Sequence, residues 1–175
     1  ADFEPLVISL IRPGPMGAPI SDLGVRVETL AMPRGLPAPA AVLRLVQQLR
    51  GFRPDLIQSW MYHADLLAAL ALPLIRTPAG RPPLIWNLRQ SDLDTRLTSR
   101  GIRLIARLNG LLSYLAPDRI ICCSQRTREV HRALHYRDGV LCVIPNGFDL
   151  ARFHPDPAAG ALLRKKLSDQ VPCRG

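Results

Sequence analysis

The feature that most constrains this chain is a repeated alternation of short apolar runs with longer stretches of helical spacing. Leu6–Ile11 is a β-branched run stopped by Arg12-Pro13-Gly14-Pro15, which reads as a buried strand and then a loop. Val25–Leu30 alternates and reads as the next strand. Pro37 sits where a helix can begin, Ala40–Leu49 follows with apolar residues at helical spacing, and Gly51 marks its expected end. Three further units repeat the pattern. Asp55–Ser59 leads to a helix over His63–Leu72, and Leu84–Leu88 to a helix over Arg100–Leu115. Arg119–Cys123 leads to a helix over Thr127–Leu134, with Ser124 as its N-cap. Val140–Ile144 is the last strand. Continuous apolar strands alternating with helices predict an α/β fold, a parallel sheet with helices on both faces. Ile8, Ile57, Ile85, Ile121 and Val143 are its expected core. At 175 residues the chain has the length of one domain.

In such sheets ligands bind beyond the carboxyl ends of the strands. That rule selects Ser59–His63, Arg89–Asp92, Cys123–Gln125 and Asn146–Asp149. His63 lies where a strand hands over to a helix, and it either bonds nearby backbone or offers a hydrogen bond to a substrate hydroxyl. Arg89 either pairs with Asp92 or Asp94, or presents its guanidinium fork to an anionic or polyhydroxyl ligand. Ser124 caps its helix, whose free N–H groups also suit an anion.

Charge and cysteine content narrow the classes. The formal charge is +9, and only Lys165 and Lys166 among 23 cationic side chains are not arginine. Either the source genome is biased or the partner is anionic. Aromatics at 5% are too sparse for base-stacking platforms, which argues against single-stranded nucleic acid. Arg100, Arg103 and Arg107 share one helical face, expected to lie opposite Ile105, Leu108 and Leu112. Residues 89–137 carry ten Arg against Asp92, Asp94, Asp118 and Glu129, a local +6. This is either a solvated face or a peripheral contact with anionic lipid. Cys122, Cys123, Cys142 and Cys173 contain no Cys-x-x-Cys pair, so neither zinc nor a disulfide framework is expected; buried thiols in the cytoplasm are. Ala1–Pro5 does not read as a signal peptide, and the longest apolar run, Leu66–Ile75, is too short to span a bilayer. No Gly-x-Gly-x-x-Gly follows the first strand, which argues against a nicotinamide-linked enzyme.

Val143-Ile144-Pro145-Asn146-Gly147-Phe148-Asp149-Leu150-Ala151-Arg152-Phe153-His154-Pro155 is a strand end, a tight turn with Gly147 free to take φ > 0, and an extended stretch. As a whole it resembles the I-P-N-G-x-D-x-x-x-F-x-P signature of family-4 glycosyltransferases. Gln58–Leu67 is similar to the loop and helix after that family's fourth strand. Ile85–Ser91 is similar to its W-x-x-R segment. Asp118–Ser124, followed by His131 and Tyr136, resembles its D-x-I-I-x-x-S strand and downstream helix. The family is a retaining one of GT-B fold. The resemblance implies transfer of a sugar from a nucleotide diphosphate donor to a glycan or lipid-linked acceptor hydroxyl. It implies no cofactor or essential metal, with the nucleotide-sugar a substrate.

On this reading His63 is the candidate catalytic residue, and Arg89, Ser124, Asn146 and Gly147 are candidate substrate-binding residues. The family's opening strand, Gly-rich loop and helix have no counterpart here, nor does its second Rossmann-like domain with the E-x7-E carboxylates. The expectation is therefore a fragment. It comprises a Rossmann-like acceptor-side domain over 1–145, incomplete at its start, an interdomain hinge over 146–157, and a truncated second domain or tail over 158–175. Without the family's first strand, two strand groups are expected to carry unpaired edges. The competing reading is a non-catalytic basic α/β module that binds an anionic membrane or nucleic acid.

Overall fold

The computed structural model describes residues 3–33, 38–92 and 98–170, so Pro37, Asp94 and Cys173 lie outside the described residues. The elements are β1 (Leu6–Ser9), α1 (Gly17–Asp22), β2 (Arg26–Thr29), α2 (Pro39–Phe52), β3 (Ile57–Trp60), α3 (Met61–Ala71) and β4 (Leu84–Leu88). They continue with α4 (Arg100–Leu112), β5 (Arg119–Cys122), α5 (Gln125–Ala133), β6 (Leu141–Val143) and α6 (Pro157–Gln170). The chain divides into two compact units, Ala1–Pro145 and Asn146–Gly175.

Every strand pair in the first unit is parallel, as continuous apolar strands separated by helices require. The strands form two sheets, β1-β2 and β3-β4-β5-β6, and no ladder joins β1 to β3. One apolar cluster bridges them. It takes Ala41, Leu45, Val46 and Leu49 from α2 and Leu67 and Ala71 from α3, with Ile8 of β1 and Ile57 of β3 packed against it. A second cluster lies under α3 and α4, where Tyr62, Leu66, Ile105 and Ala106 meet Leu84, Trp86, Leu88, Ile120 and Cys122.

The ladder register sorts the four-stranded sheet into two faces. Trp86 pairs with Ile120 and Ile120 with Leu141, so these side chains share the face that α3 and α4 cover. Ile85 and Ile121 point to the other face and are only half-buried. The expected core of Ile8, Ile57, Ile85, Ile121 and Val143 is thus corrected. All five are half-buried, and the fully buried positions are their strand neighbours Leu84, Trp86, Leu88, Ile120 and Cys122.

Other departures are local. The sequence reading gave no helix before Val25, yet α1 forms there. Gly51 does not end α2; the helix runs to Phe52 and closes at Arg53, which takes φ 57° and donates its N–H to Leu49 O (2.8 Å). A glycine inside a helix costs only about 1 kcal/mol, and Leu49, buried one turn earlier, holds that turn to the core. The N–H groups of Arg50 donate to Leu74 O (3.1 and 2.8 Å), fixing the same turn to the end of α3. Leu108 does not join Ile105 on the buried side of α4 but is exposed.

The second unit starts extended. Gly147 does not use its freedom to take φ > 0; among the described residues the glycines with positive φ are Gly14, Gly24 and Gly80. The turn is made instead by Asp149, whose carboxylate accepts from the N–H groups of Ala151 (3.0 Å) and Arg152 (3.2 Å). Asp156 likewise accepts from Ala159 N–H (3.0 Å) at the start of α6.

The tightest backbone approach is at Gly110, where a Cβ would stand 2.5 Å from Leu134 O. Gly51 has nothing within 4 Å of that position. The same substitution should therefore act with opposite signs. Gly110→Ala is expected to destabilise by about 1–3 kcal/mol through overpacking, while Gly51→Ala stabilises by about 0.5–1 kcal/mol through helix propensity. Thermal or urea melts of the two variants check this.

Candidate functional site

The ladder registers bring the carboxyl ends of three strands level: Trp60 pairs with Asn87 and Leu88 with Cys122. β3 passes into α3 without a loop. Met61 makes the turn with φ 70°, a left-handed conformation that a side chain of its size rarely takes. Its Sδ accepts the N–H of Arg89 across the gap between the two strand ends (3.4 Å).

Arg89 stands at the centre of this edge. Its guanidinium lies over the Trp60 ring, 4.8 Å from the centroid, and donates to Asn87 Oδ1 (3.4 Å). Asn87 is fully buried, and its amide donates to Ser59 O (3.3 Å). The cation therefore rests on two strands at once: an aromatic from β3 below it and an amide from β4 beside it. Trp60 keeps 53% of its surface exposed. What the arrangement offers is a half-buried, oriented fork with an aromatic floor, suited to phosphate oxygens or sugar hydroxyls.

His63, the third residue of α3, is half-buried. Among the described residues its ring makes no hydrogen bond to nearby backbone, the first of the two readings given for it. Ser124 is the N-cap of α5, its Oγ accepting from Thr127 N–H (3.1 Å) and bonding Thr127 Oγ1 (3.0 Å). His63, Arg89 and Ser124 thus each follow a strand's carboxyl end, on α3, after β4 and at α5. Asn146 and Gly147 open the second unit. Asp118, in the segment that resembles the D-x-I-I-x-x-S pattern, works at the opposite edge. Its carboxylate accepts from Arg81 (2.7 Å) and from Leu84 N–H (2.8 Å), pinning the start of β4.

Beneath the edge lies a buried polar network that the sequence reading did not find. Ser59 Oγ donates to Asp65 Oδ1 (2.5 Å), and Asp65 is fully buried. Burial pushes its carboxyl well above the ordinary range, more than the Ser59 bond lowers it. A second set of buried bonds lies on α3, α4 and α5. Tyr62 O–H donates to His131 Nε2 (2.9 Å) while His131 Nδ1 donates to Thr127 O (2.7 Å), and Asn109 donates to Tyr62 O (2.9 Å). His131 is held neutral because burial lowers its pKa. Burial also raises Tyr62 and Tyr136, and takes the Cys122 thiol up to about 12. Cys122, Cys123 and Cys142 are free thiols, and among the described residues no group of three His, Cys, Asp or Glu side chains could hold a metal ion.

The profile of Glycosyltransferase Family 4 matches residues 1–152. No curated protein matches the sequence significantly. Among solved structures, Anabaena HepE in complex with UDP-glucose matches at 25% identity and a TM-score of 0.68, over 93% of this chain and 42% of that one. HepE with UDP and glucose matches at 22% identity and 0.67, over 93% and 42%. HepE with UDP matches at 17% identity and 0.62, over 95% and 50%. The latter two speak to the fold alone. The chain spans half or less of the length of the HepE chains.

The buried carboxyl of Asp65 carries a test of its own. Its folded pKa is raised above the unfolded value, so its stabilising contribution is complete below the unfolded pKa and is lost as pH rises towards the folded one. Asp65→Asn removes this dependence while retaining an acceptor for Ser59. The melting temperature of the variant relative to the unaltered chain should therefore climb as pH rises from 5. A constant difference would show that Asp65 does not titrate differently on folding.

Proposed function

The chain belongs to glycosyltransferase family 4, and we propose that it forms the acceptor-side, Rossmann-like half of a retaining enzyme. That enzyme moves a sugar from a nucleotide diphosphate donor to an acceptor hydroxyl, in glycan, polysaccharide or glycolipid synthesis. Family membership over residues 1–152 and the likeness to HepE crystallised with UDP-glucose support the transferase class. The observation that carries this chain's own part in it is the seating of Arg89 on Trp60 and Asn87.

A guanidinium already fixed over an aromatic ring loses little conformational freedom when it binds. Its N–H groups then donate in one plane to the acceptor or to a phosphate that crosses the cleft. His63, half-buried at the first turn of α3, supplies a hydrogen bond to the reacting hydroxyl. Ser124 fixes the start of α5 through its cap, leaving that backbone to face substrate. Asn146 and Gly147, in the segment that resembles the family signature, are further candidate substrate-binding residues. The groups that stabilise the leaving diphosphate belong to the donor-side half of the enzyme, and electrostatic stabilisation there supplies the larger share of the barrier reduction. The reaction carries no resident cofactor on this reading and takes place in the cytoplasm.

The test has two arms. The purified 175-residue chain, incubated with a panel of nucleotide-sugars, should release no nucleoside diphosphate above buffer. In the parent enzyme, Arg89→Ala should lower kcat/KM on the order of 10- to 100-fold, the worth of one charge-assisted interaction. Trp60→Ala should cost only about threefold. Turnover by this chain alone, abolished by Arg89→Ala, would show that the domain is itself the enzyme. An unchanged kcat/KM in the Arg89→Ala parent would remove Arg89 from the site.

A further inference from the structure

We propose that the outer face of α4 is a docking surface for an anionic lipid bilayer. Ile105, Ala106 and Asn109 turn one side of this helix into the core. The opposite side carries two adjacent strips. Arg100, Arg103 and Arg107 form one and, together with Leu104, line a shallow groove. Leu104, Leu108, Leu111 and, in the turn beyond the helix, Leu115 form the other, from 38% exposed at Leu108 to 84% at Leu115. Tyr114, also exposed, ends the cationic strip.

An exposed leucine singly means little, but three in a row on one helix and a fourth in the turn after it are apolar surface that nothing among the described residues covers. The sequence leaves the cations equally uncompensated, since no acidic residue occurs between Asp94 and Asp118. Among the described residues no carboxylate pairs with Arg100, Arg103 or Arg107. Apolar side chains beside a cationic row match the two layers of an anionic leaflet, acyl chain and phosphate. Charge also decides against a second copy of this chain as the occupant. Two molecules of net charge +9 would bring like-charged strips together. Double-stranded nucleic acid would satisfy the arginines and leave the leucines in water. No helix among the described residues is long and apolar enough to cross a membrane, so the contact is a lateral one.

Co-sedimentation of the full chain with vesicles tests the assignment. Equimolar phosphatidylcholine and phosphatidylglycerol vesicles should retain the chain at low salt, and pure phosphatidylcholine vesicles should not. Arg100→Glu with Arg107→Glu should lower the partition coefficient by at least about 25-fold, taking each cation near the surface at its usual worth. Leu104→Ser with Leu111→Ser should lower it on the order of tenfold or more. Both pairs are exposed, so folding is expected to survive and is checked by circular dichroism. Arg126→Glu with Arg132→Glu on α5 makes the same charge change elsewhere and should cost much less. Equal losses for the α4 and α5 arginine pairs would reduce the contact to diffuse charge and overturn the proposal. So would duplex DNA binding that competes with vesicles and ignores the leucine pair, which would assign the face to nucleic acid. Absence of binding to anionic vesicles would leave the face to a protein partner and overturn it as well.

Discussion

The direct join of β3 to α3 at Met61 is the constraint on which the rest of the first unit depends. With no loop between Trp60 and Met61, the strand must turn into a helix at one residue, and Met61 takes φ 70° to do it. Such a conformation costs on the order of 1–3 kcal/mol in a residue with a side chain, so the surroundings must hold it. They do so from both sides. Met61 Sδ accepts the Arg89 N–H above the turn, and below it Tyr62 is tied to His131 and Asn109. The same turn leaves the Trp60 ring standing at the strand end, where the Arg89 guanidinium lies over it. The strained residue and the candidate ligand-binding cation are therefore parts of one construction.

How far this could be read from sequence varies with the range of the interaction. β4 begins and ends where the sequence placed it, because Pro82-Pro83 stops the preceding chain and five apolar-rich residues follow. β3 was displaced by two residues, since Asp55-Leu56 looks like a strand start although pairing begins at Ile57. The positions of Arg89 and Ser124 follow from the rule that places ligands beyond strand carboxyl ends. Of the two residues that seat Arg89, Trp60 fell in the segment Ser59–His63 that this rule selects, whereas Asn87 was legible only as a member of a strand; an asparagine in the apolar run Leu84–Leu88 was the available signal. Asp65 was hidden more thoroughly. It sits in a helix that is apolar on nearly every side, where periodicity offers no polar face to explain it. A separate buried bond joins Tyr62 to His131, 69 residues apart in the chain, and no local pattern encodes such a pairing.

The division of the strands into two sheets shows what replaces backbone pairing when a ladder is interrupted. β1 and β3 share no hydrogen bonds, yet Ile8 and Ile57 pack against the same cluster. α2 supplies most of that cluster and is fixed at both ends of its contact with the sheets. Arg44 donates to Leu30 O (2.9 Å) just beyond β2, and Arg50 donates to Leu74 O beyond α3. Two arginines thus clamp a helix across the gap through carbonyl groups that strand pairing does not use. Apolar burial is non-directional and tolerates such a gap, whereas the unpaired strand edges remain exposed to any extended segment that can match them.

Arginine consequently has three separate roles in this chain, and the surroundings distinguish them. Arg44, Arg50 and Arg81 end on backbone carbonyls and hold elements together. Arg89 rests on an aromatic ring at the strand edge, where Trp60 and Asn87 orient its fork. Arg100, Arg103 and Arg107 meet no carboxylate among the described residues and stand beside exposed leucines. The last two sets are linked by connectivity. β4 ends at Leu88, Arg89 follows it directly, and α4 is the next helix in the chain before β5. One strand-helix-strand unit, β4 to β5, thus carries both the cation seated on Trp60 and the cationic strip of α4.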